Sequence, residues 1–89
     1  MSKHHEIKCW PKYFERVAMG TKTFEVRVND RDYQAGDTVT LVEYDPEKQG
    51  MGAYSGKKLS FKIGYVLVLE GYATERVVFS LLPAEVPHE

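Results

Sequence analysis

The sequence predicts a mainly β (α+β) domain: a small β-barrel of about five to six strands, with one short helix after the first strand. Three observations carry this expectation. Apolar and polar residues alternate along several short runs, one helical run is framed by a proline and a glycine, and the chain has only 89 residues. At that length roughly 60% of the unfolded surface can be buried, which favours a closed sheet over an open one. Closing the sheet also removes its exposed edges.

Each element has its own signal. His5 to Cys9 alternates Ile7 and Cys9 against Glu6 and Lys8, as a half-buried strand does. In WPKYFERVAMG, Pro11 suits a first helical turn and Gly20 a C-terminal cap. Tyr13 or Phe14, Val17 and Ala18 fall at helical spacing between them. Trp10 is expected to pack under that helix, and Trp10, Tyr13 and Phe14 read as core more readily than as stacking faces for bases. A strand begins near Thr23, where Phe24, Val26 and Val28 alternate with Glu25, Arg27 and Asn29. TVTLVEY, residues 38–44, is β-branched and aromatic, and the glycine-rich DPEKQGMGAYSGKK reads as a flexible loop flanked by Tyr44 and Tyr54. LSFKIGYVLVL, residues 59–69, alternates Leu59, Phe61, Ile63, Tyr65, Leu67 and Leu69, with Gly64 marking a bulge or bend. Glu70-Gly71 is a turn, RVVFSLL the last strand, and the proline-bearing end a flexible tail. One domain, 1–89, is expected, with its core over about 5–82 and a tail over 83–89.

Composition narrows the function classes. Twelve Lys and Arg against thirteen Asp and Glu give a net charge of −1, which argues against strong non-specific nucleic-acid binding but leaves room for a local basic patch. The single Cys9 can form no internal disulfide and fits a reducing cytoplasm. No apolar run approaches the about 18 residues of a spanning helix, and MSKHHEIK lacks the apolar core of a signal peptide. A soluble, cytoplasmic protein is therefore expected, with no membrane partner. His4 and His5 have no third ligand at a recognisable spacing, so neither a metal nor a cofactor is expected. There is no Ser/His/Asp constellation, Walker loop or dinucleotide fingerprint.

The candidate site lies in GTKTFEVRVNDRDYQAGD, residues 20–37. Lys22 is the first choice: it can contact a phosphate or, if desolvated, act as a base, against the plain reading of a solvated loop lysine. Glu25 and Arg27 share one strand face, opposite Phe24, Val26 and Val28. There Arg27 can hold a phosphate or base edge, while Glu25 orients Lys22 or Arg27 or accepts from an exocyclic amine. The plain alternative is an exposed face of weak charge pairs. Asp30 and Asp32 read as turn residues, and Arg31 stays open as a nucleic-acid contact. Cys9 reads as a small buried hydrophobe.

HEIKCWPKYF, GTKTFEVR, NDRDY, the Gly-Asp before a strand, EYDP and the late Gly-Tyr, in this order from His5 to about Leu82, resemble a known family. They are similar to the small bacterial and phage proteins of the domain-of-unknown-function family 3850, within the ASCH group of PUA-like barrels. The resemblance implies a barrel with a cleft beside the helix that follows the first strand, and RNA as the ligand of that cleft. Some ASCH relatives are amidohydrolases on acylated cytidine, using a lysine and a threonine of a G-x-K-T-x-T-x-R motif and a more distal glutamate. Lys22 and Arg27 match that motif, Glu25 stands at its second threonine, and Glu70 and Glu75 are candidates for the distal glutamate.

The leading expectation is a module binding RNA or a nucleotide-like ligand through Lys22, Thr23, Glu25, Arg27 and Arg31. The enzyme alternative is an amidohydrolase of a modified, acylated nucleoside, with Lys22 and Glu25 as its catalytic residues. A small accessory protein that binds another protein is the third. A monomer is consistent with the sequence, which does not fix the oligomeric state.

Overall fold

The structure, a computed structural model, describes residues 2–72 and 75–84. Alternation builds the first strand, β1 (His4–Cys9), which turns His5, Ile7 and Cys9 inward. Pro11 then opens α1 (Pro11–Met19), supplying a fixed φ where no helical N–H is needed. Gly20, at φ 85° in the left-handed region, ends it, with the Gly20 and Thr21 amides donating to the Val17 and Arg16 carbonyls. This helix buries Phe14 and Val17. There follow β2 (Phe24–Val28), β3 (Thr38–Tyr44), a short 3-10 turn (Gly50–Ala53), β4 (Tyr54–Val68) and β5 (Arg76–Pro83).

The strands form a single curled sheet in the order β1-β3-β4-β5-β2. β1 runs parallel to β3, and the other three pairings are antiparallel. The mainly β fold with one helix after the first strand is as expected, but the curled sheet stops at a half-barrel, with β1 and β2 not paired to each other. Its core gathers Ile7, Phe14, Val39, Leu41, Ile63 and Phe79 on the concave side.

Three local expectations need correction. The glycine-rich loop is shorter than expected, because β4 already begins at Tyr54 and pairs with Tyr44 of β3. In β4 the register slips between Ile63 and Val66, so Ile63 and Val66 pack on the core while Tyr65 and Leu67 turn outward. One inserted residue reverses every following side chain. A side chain on Gly64 would sit 2.7 Å from Ser80 Oγ, and that hydroxyl instead accepts the Tyr65 amide at 2.9 Å. Trp10 and Tyr13 are not core: they remain 48% and 42% exposed, and only Phe14 of the three is buried. On β2 the charged side is the one turned inward, unlike the plain alternative of an exposed face of charge pairs. Glu25 is 4% exposed, whereas Phe24, Val26 and Val28 are 43–45% exposed, because β2 ends the sheet and its curl aims Glu25 inward. The expected tail lies outside the described residues apart from Pro83, which ends β5, and Ala84.

A polar clamp closes the core below β1. Asp37, 2% exposed, shares a 2.8 Å hydrogen bond with His5 Nε2 and accepts the Lys3 and Gln34 amides at 2.9 and 3.1 Å. The His5 ring packs on Tyr33, and Tyr33 on Phe79, with centroids 4.7 and 4.9 Å apart. Burial alone would push the Asp37 carboxyl up, but the bonds from His5, Lys3 and Gln34 outweigh it and hold the group below its ordinary value of 3.8. A carboxyl depressed in the folded state contributes stability above its unfolded value and loses it as pH falls through the folded one. Urea unfolding of wild type and Asp37→Asn at neutral pH and at stepped acid pH is expected to show the variant less stable near neutrality. The gap should narrow below about pH 4. A gap of constant size down to acid pH would contradict this role for Asp37.

Candidate functional site

β1 and β2 are the two ends of the sheet, and cationic side chains bridge the seam between them. Arg27 Nη2 donates to the Lys8 carbonyl, and Arg31 Nη1 donates to the Glu6 carbonyl at 2.9 Å. Lys22 Nζ caps the Phe24 carbonyl at 2.7 Å. Edge carbonyls that a closed barrel would pair in its backbone ladder are taken here by side chains.

Backbone geometry delivers these residues. The Gly20 cap lets the chain leave α1 with the Lys22 amide donating to Arg16, so Lys22 stands at the mouth of β2. The two-residue period of β2 then sets Glu25 and Arg27 on one face. Glu25 Oε1 accepts from Lys22 Nζ at 2.6 Å and Glu25 Oε2 from Arg27 Nε at 3.2 Å. One buried carboxylate thereby holds two cations, each only partly exposed. Desolvating a charge is tolerated when it is both paired and hydrogen-bonded, and Glu25 meets both conditions.

The three residues open on a cleft of about 680 Å³ beside the start of α1, walled by Trp10, Tyr13, Phe24 and Cys9. Trp10 and Tyr13 stack with centroids 6.2 Å apart and planes 21° from parallel. Lys22 Nζ lies 5.1 Å from the Phe24 ring centroid and 5.8 Å from that of Tyr13, within cation–π range. Burial, and next the charge of Glu25, push the Cys9 thiol up to about 11. Cys9 is therefore protonated near neutrality and is no nucleophile.

A second cavity, of about 530 Å³, continues along the seam and shares Lys8, Val26, Arg27 and Arg76 with the first. Arg31 and Asp30 belong to this one. Lys22, Glu25 and Arg27 thus converge as a group, and Arg31 joins the same seam further along. Thr23 lies outside both cavities: it is exposed, and its carbonyl accepts the Leu81 amide. Glu70 and Glu75 line neither cavity. Asp32, at φ 49°, accepts from Gln34 Nε2 at 2.7 Å and from Lys3 Nζ at 3.4 Å, as turn chemistry requires. The aromatic wall corresponds to the lesser of the two readings of Trp10 and Tyr13, and Trp10 directly before a helix-opening proline was the signal that it stands at the helix mouth. Nothing in the sequence pointed to Lys8 or Arg76.

Replacing Glu25 by Gln removes the counter-charge of Lys22 and Arg27. We expect this change to cost roughly 1.5–3 kcal/mol in urea unfolding, the size of hydrogen bonds to charged groups. Glu15→Gln on the exposed side of α1 should stay within about 0.5 kcal/mol. Equal losses in the two variants would show that Glu25 organises nothing.

Comparison with known proteins gives two matches. The model of the family described as "Domain of unknown function (DUF3850)" matches residues 4–81. The "Uncharacterized 12.9 kDa protein in GpA 3'region" of Escherichia phage P2 is 34% identical over 86 residues, covering 97% of this chain and 74% of the phage protein. The extent matched by the family runs from β1 into β5 and includes every residue of the cleft. The chain belongs to the DUF3850 family.

Proposed function

We propose that the protein is a binding module for RNA or a nucleotide-like ligand, held in the cleft formed by Lys22, Glu25 and Arg27 against Trp10 and Tyr13. One observation carries this reading: two cations fixed by one buried carboxylate stand beside an exposed aromatic pair in a single cleft. Exposed aromatic faces bind bases by stacking, and a preorganised guanidinium and ammonium bind phosphate or a base edge. Glu25, though paired, keeps acceptor capacity for an exocyclic amine, which suits a nucleobase better than a bare anion. The ASCH and PUA-like resemblance supports the same ligand class. The net charge of −1 implies weak, selective binding.

The bonding of Lys22 favours binding over catalysis. Its ammonium already donates to Glu25 and to the Phe24 carbonyl, which orients it as a fixed hydrogen-bond donor and not as a free nucleophile. Among the described residues no helix is long and apolar enough to cross a membrane. We place the protein's work in the cytoplasm, where the unpaired thiol of Cys9 stays reduced.

Titration of labelled short RNAs and nucleoside monophosphates at low salt tests the reading. Wild type should bind at least one of them. Lys22→Ala and Arg27→Ala should each weaken that binding about tenfold, and Trp10→Ala by roughly 1–3 kcal/mol. No binding across the panel, or binding indifferent to all three substitutions, would overturn it.

A further inference from the structure

Resting on that reading, we infer that the ligand is a single-stranded oligonucleotide whose phosphodiester chain runs along the β1–β2 seam, from the aromatic cleft into the Arg31–Arg76 cavity. The polarity of the seam carries the inference. Asn29 donates to the Glu75 carbonyl and Leu81 to that of Thr23, so odd-numbered residues of β2 face β5. Alternation then sends the backbone groups of Phe24, Val26 and Val28 out into the seam. On β1 the Lys3 carbonyl accepts from Thr38 of β3, which sends those of Glu6 and Lys8 outward across from β2.

The outward carbonyls are already occupied. Arg31, Arg27 and Lys22 donate to those of Glu6, Lys8 and Phe24, and the Asp30 amide donates to that of Val28 at 2.9 Å. Among the described residues along this stretch, Val26 alone retains an outward carbonyl with no such donor. The N–H groups of Glu6, Lys8, Phe24, Val26 and Val28 point into the same gap. The backbone of the seam therefore offers many free donors and few free acceptors.

That asymmetry separates two kinds of extended ligand. A peptide adding as a strand needs donors and acceptors in alternation, and most outward carbonyls here already accept from an arginine, a lysine or a local amide. A phosphodiester chain only accepts, and it meets a gap lined by N–H groups and guanidinium. Charge agrees: Lys8, Arg27, Arg31 and Arg76 line the second cavity against Glu6 and Asp30, in a protein whose net charge is −1. Phe24 to Val28 spans roughly 13 Å of strand, room for several phosphates rather than one.

The test compares a nucleoside monophosphate with labelled single strands of about six nucleotides, RNA and DNA, by fluorescence anisotropy and calorimetry. Polyglutamate serves as a competing polyanion, and the full chain is used as wild type, Arg31→Gln and Arg76→Gln. One hexamer is expected to bind about tenfold tighter than the monophosphate, and the RNA and DNA arms tell which sugar is preferred. Arg31→Gln should weaken the hexamer roughly five- to tenfold and lower its salt slope by about one, with a clearly smaller effect on the monophosphate. Arg76→Gln, in an exposed position at the start of β5 that lines both cavities, should weaken the hexamer by a similar factor and checks the seam if the Arg31 variant folds poorly. Hexamer and monophosphate binding equally would overturn the seam while leaving the cleft reading intact. So would hexamer binding indifferent to both arginines. Polyglutamate displacing the hexamer at equal charge concentration would overturn the phosphodiester assignment, and no binding by either nucleotide probe would overturn both readings.

Discussion

A single buried carboxylate, Glu25, organises the open side of this sheet. It sits on the concave face with Lys22 on one oxygen and Arg27 on the other. Without it, Lys22 before β2 and Arg27 within it would have no counter-charge between them and would turn towards water. With it, Arg27 extends across the seam to the Lys8 carbonyl and Lys22 folds back on Phe24. The attachment of β2 to β1 thus depends on one charge-assisted cluster, with Arg31 to Glu6 as a second tie further along. A buried ion pair is weak evidence for stability in itself, but it is good at fixing geometry. Here the fixed geometry is the shape of the cleft.

The sheet has therefore been left open where a ladder would have closed it, and the opening carries both cavities. An unclosed edge ordinarily invites pairing with another chain. In this protein the edge carbonyls are capped by arginine and lysine, while half-exposed Phe24, Val26 and Val28 occupy the other side of β2. The same cations that block strand addition concentrate positive charge in a molecule with slightly negative total charge. Protection of the edge and the local concentration of positive charge then share one cause. The polar clamp of Asp37, His5 and Lys3 keeps the start of β1, one wall of the seam, attached to the core.

Much of the fold was legible in the sequence because the signals are local. Pro11 and Gly20 bracket the helix, and the β-branched run of residues 38–44 coincides with β3. The seam residues Lys22, Glu25 and Arg27 were also legible as one group, since a two-residue period places the last two on one face. What period cannot tell is which face turns inward. For β2 the period left both faces open, and the curl of a terminal strand and two nearby cations let Glu25 turn inward. Gly64 announced a bulge, but the resulting reversal of Tyr65 and Leu67 depends on where the ladder resumes with β5. The His5–Asp37 bond joins residues 32 positions apart, and the reach of Arg27 to Lys8 spans 19, so neither leaves a local trace. Trp10 and Tyr13 were mistaken for core because helical spacing reports a shared face and not its burial.

Amide chemical-shift mapping of the isotopically labelled protein, as a short single-stranded oligonucleotide is added, tests the central claim most directly. The account predicts that the largest changes fall on the seam-facing amides of Glu6, Lys8, Phe24, Val26 and Val28, together with the Trp10 indole. Those amides should move together along one titration curve. Changes centred instead on the outward face of β4 around Tyr65 and Leu67, with the seam amides unmoved, would contradict it.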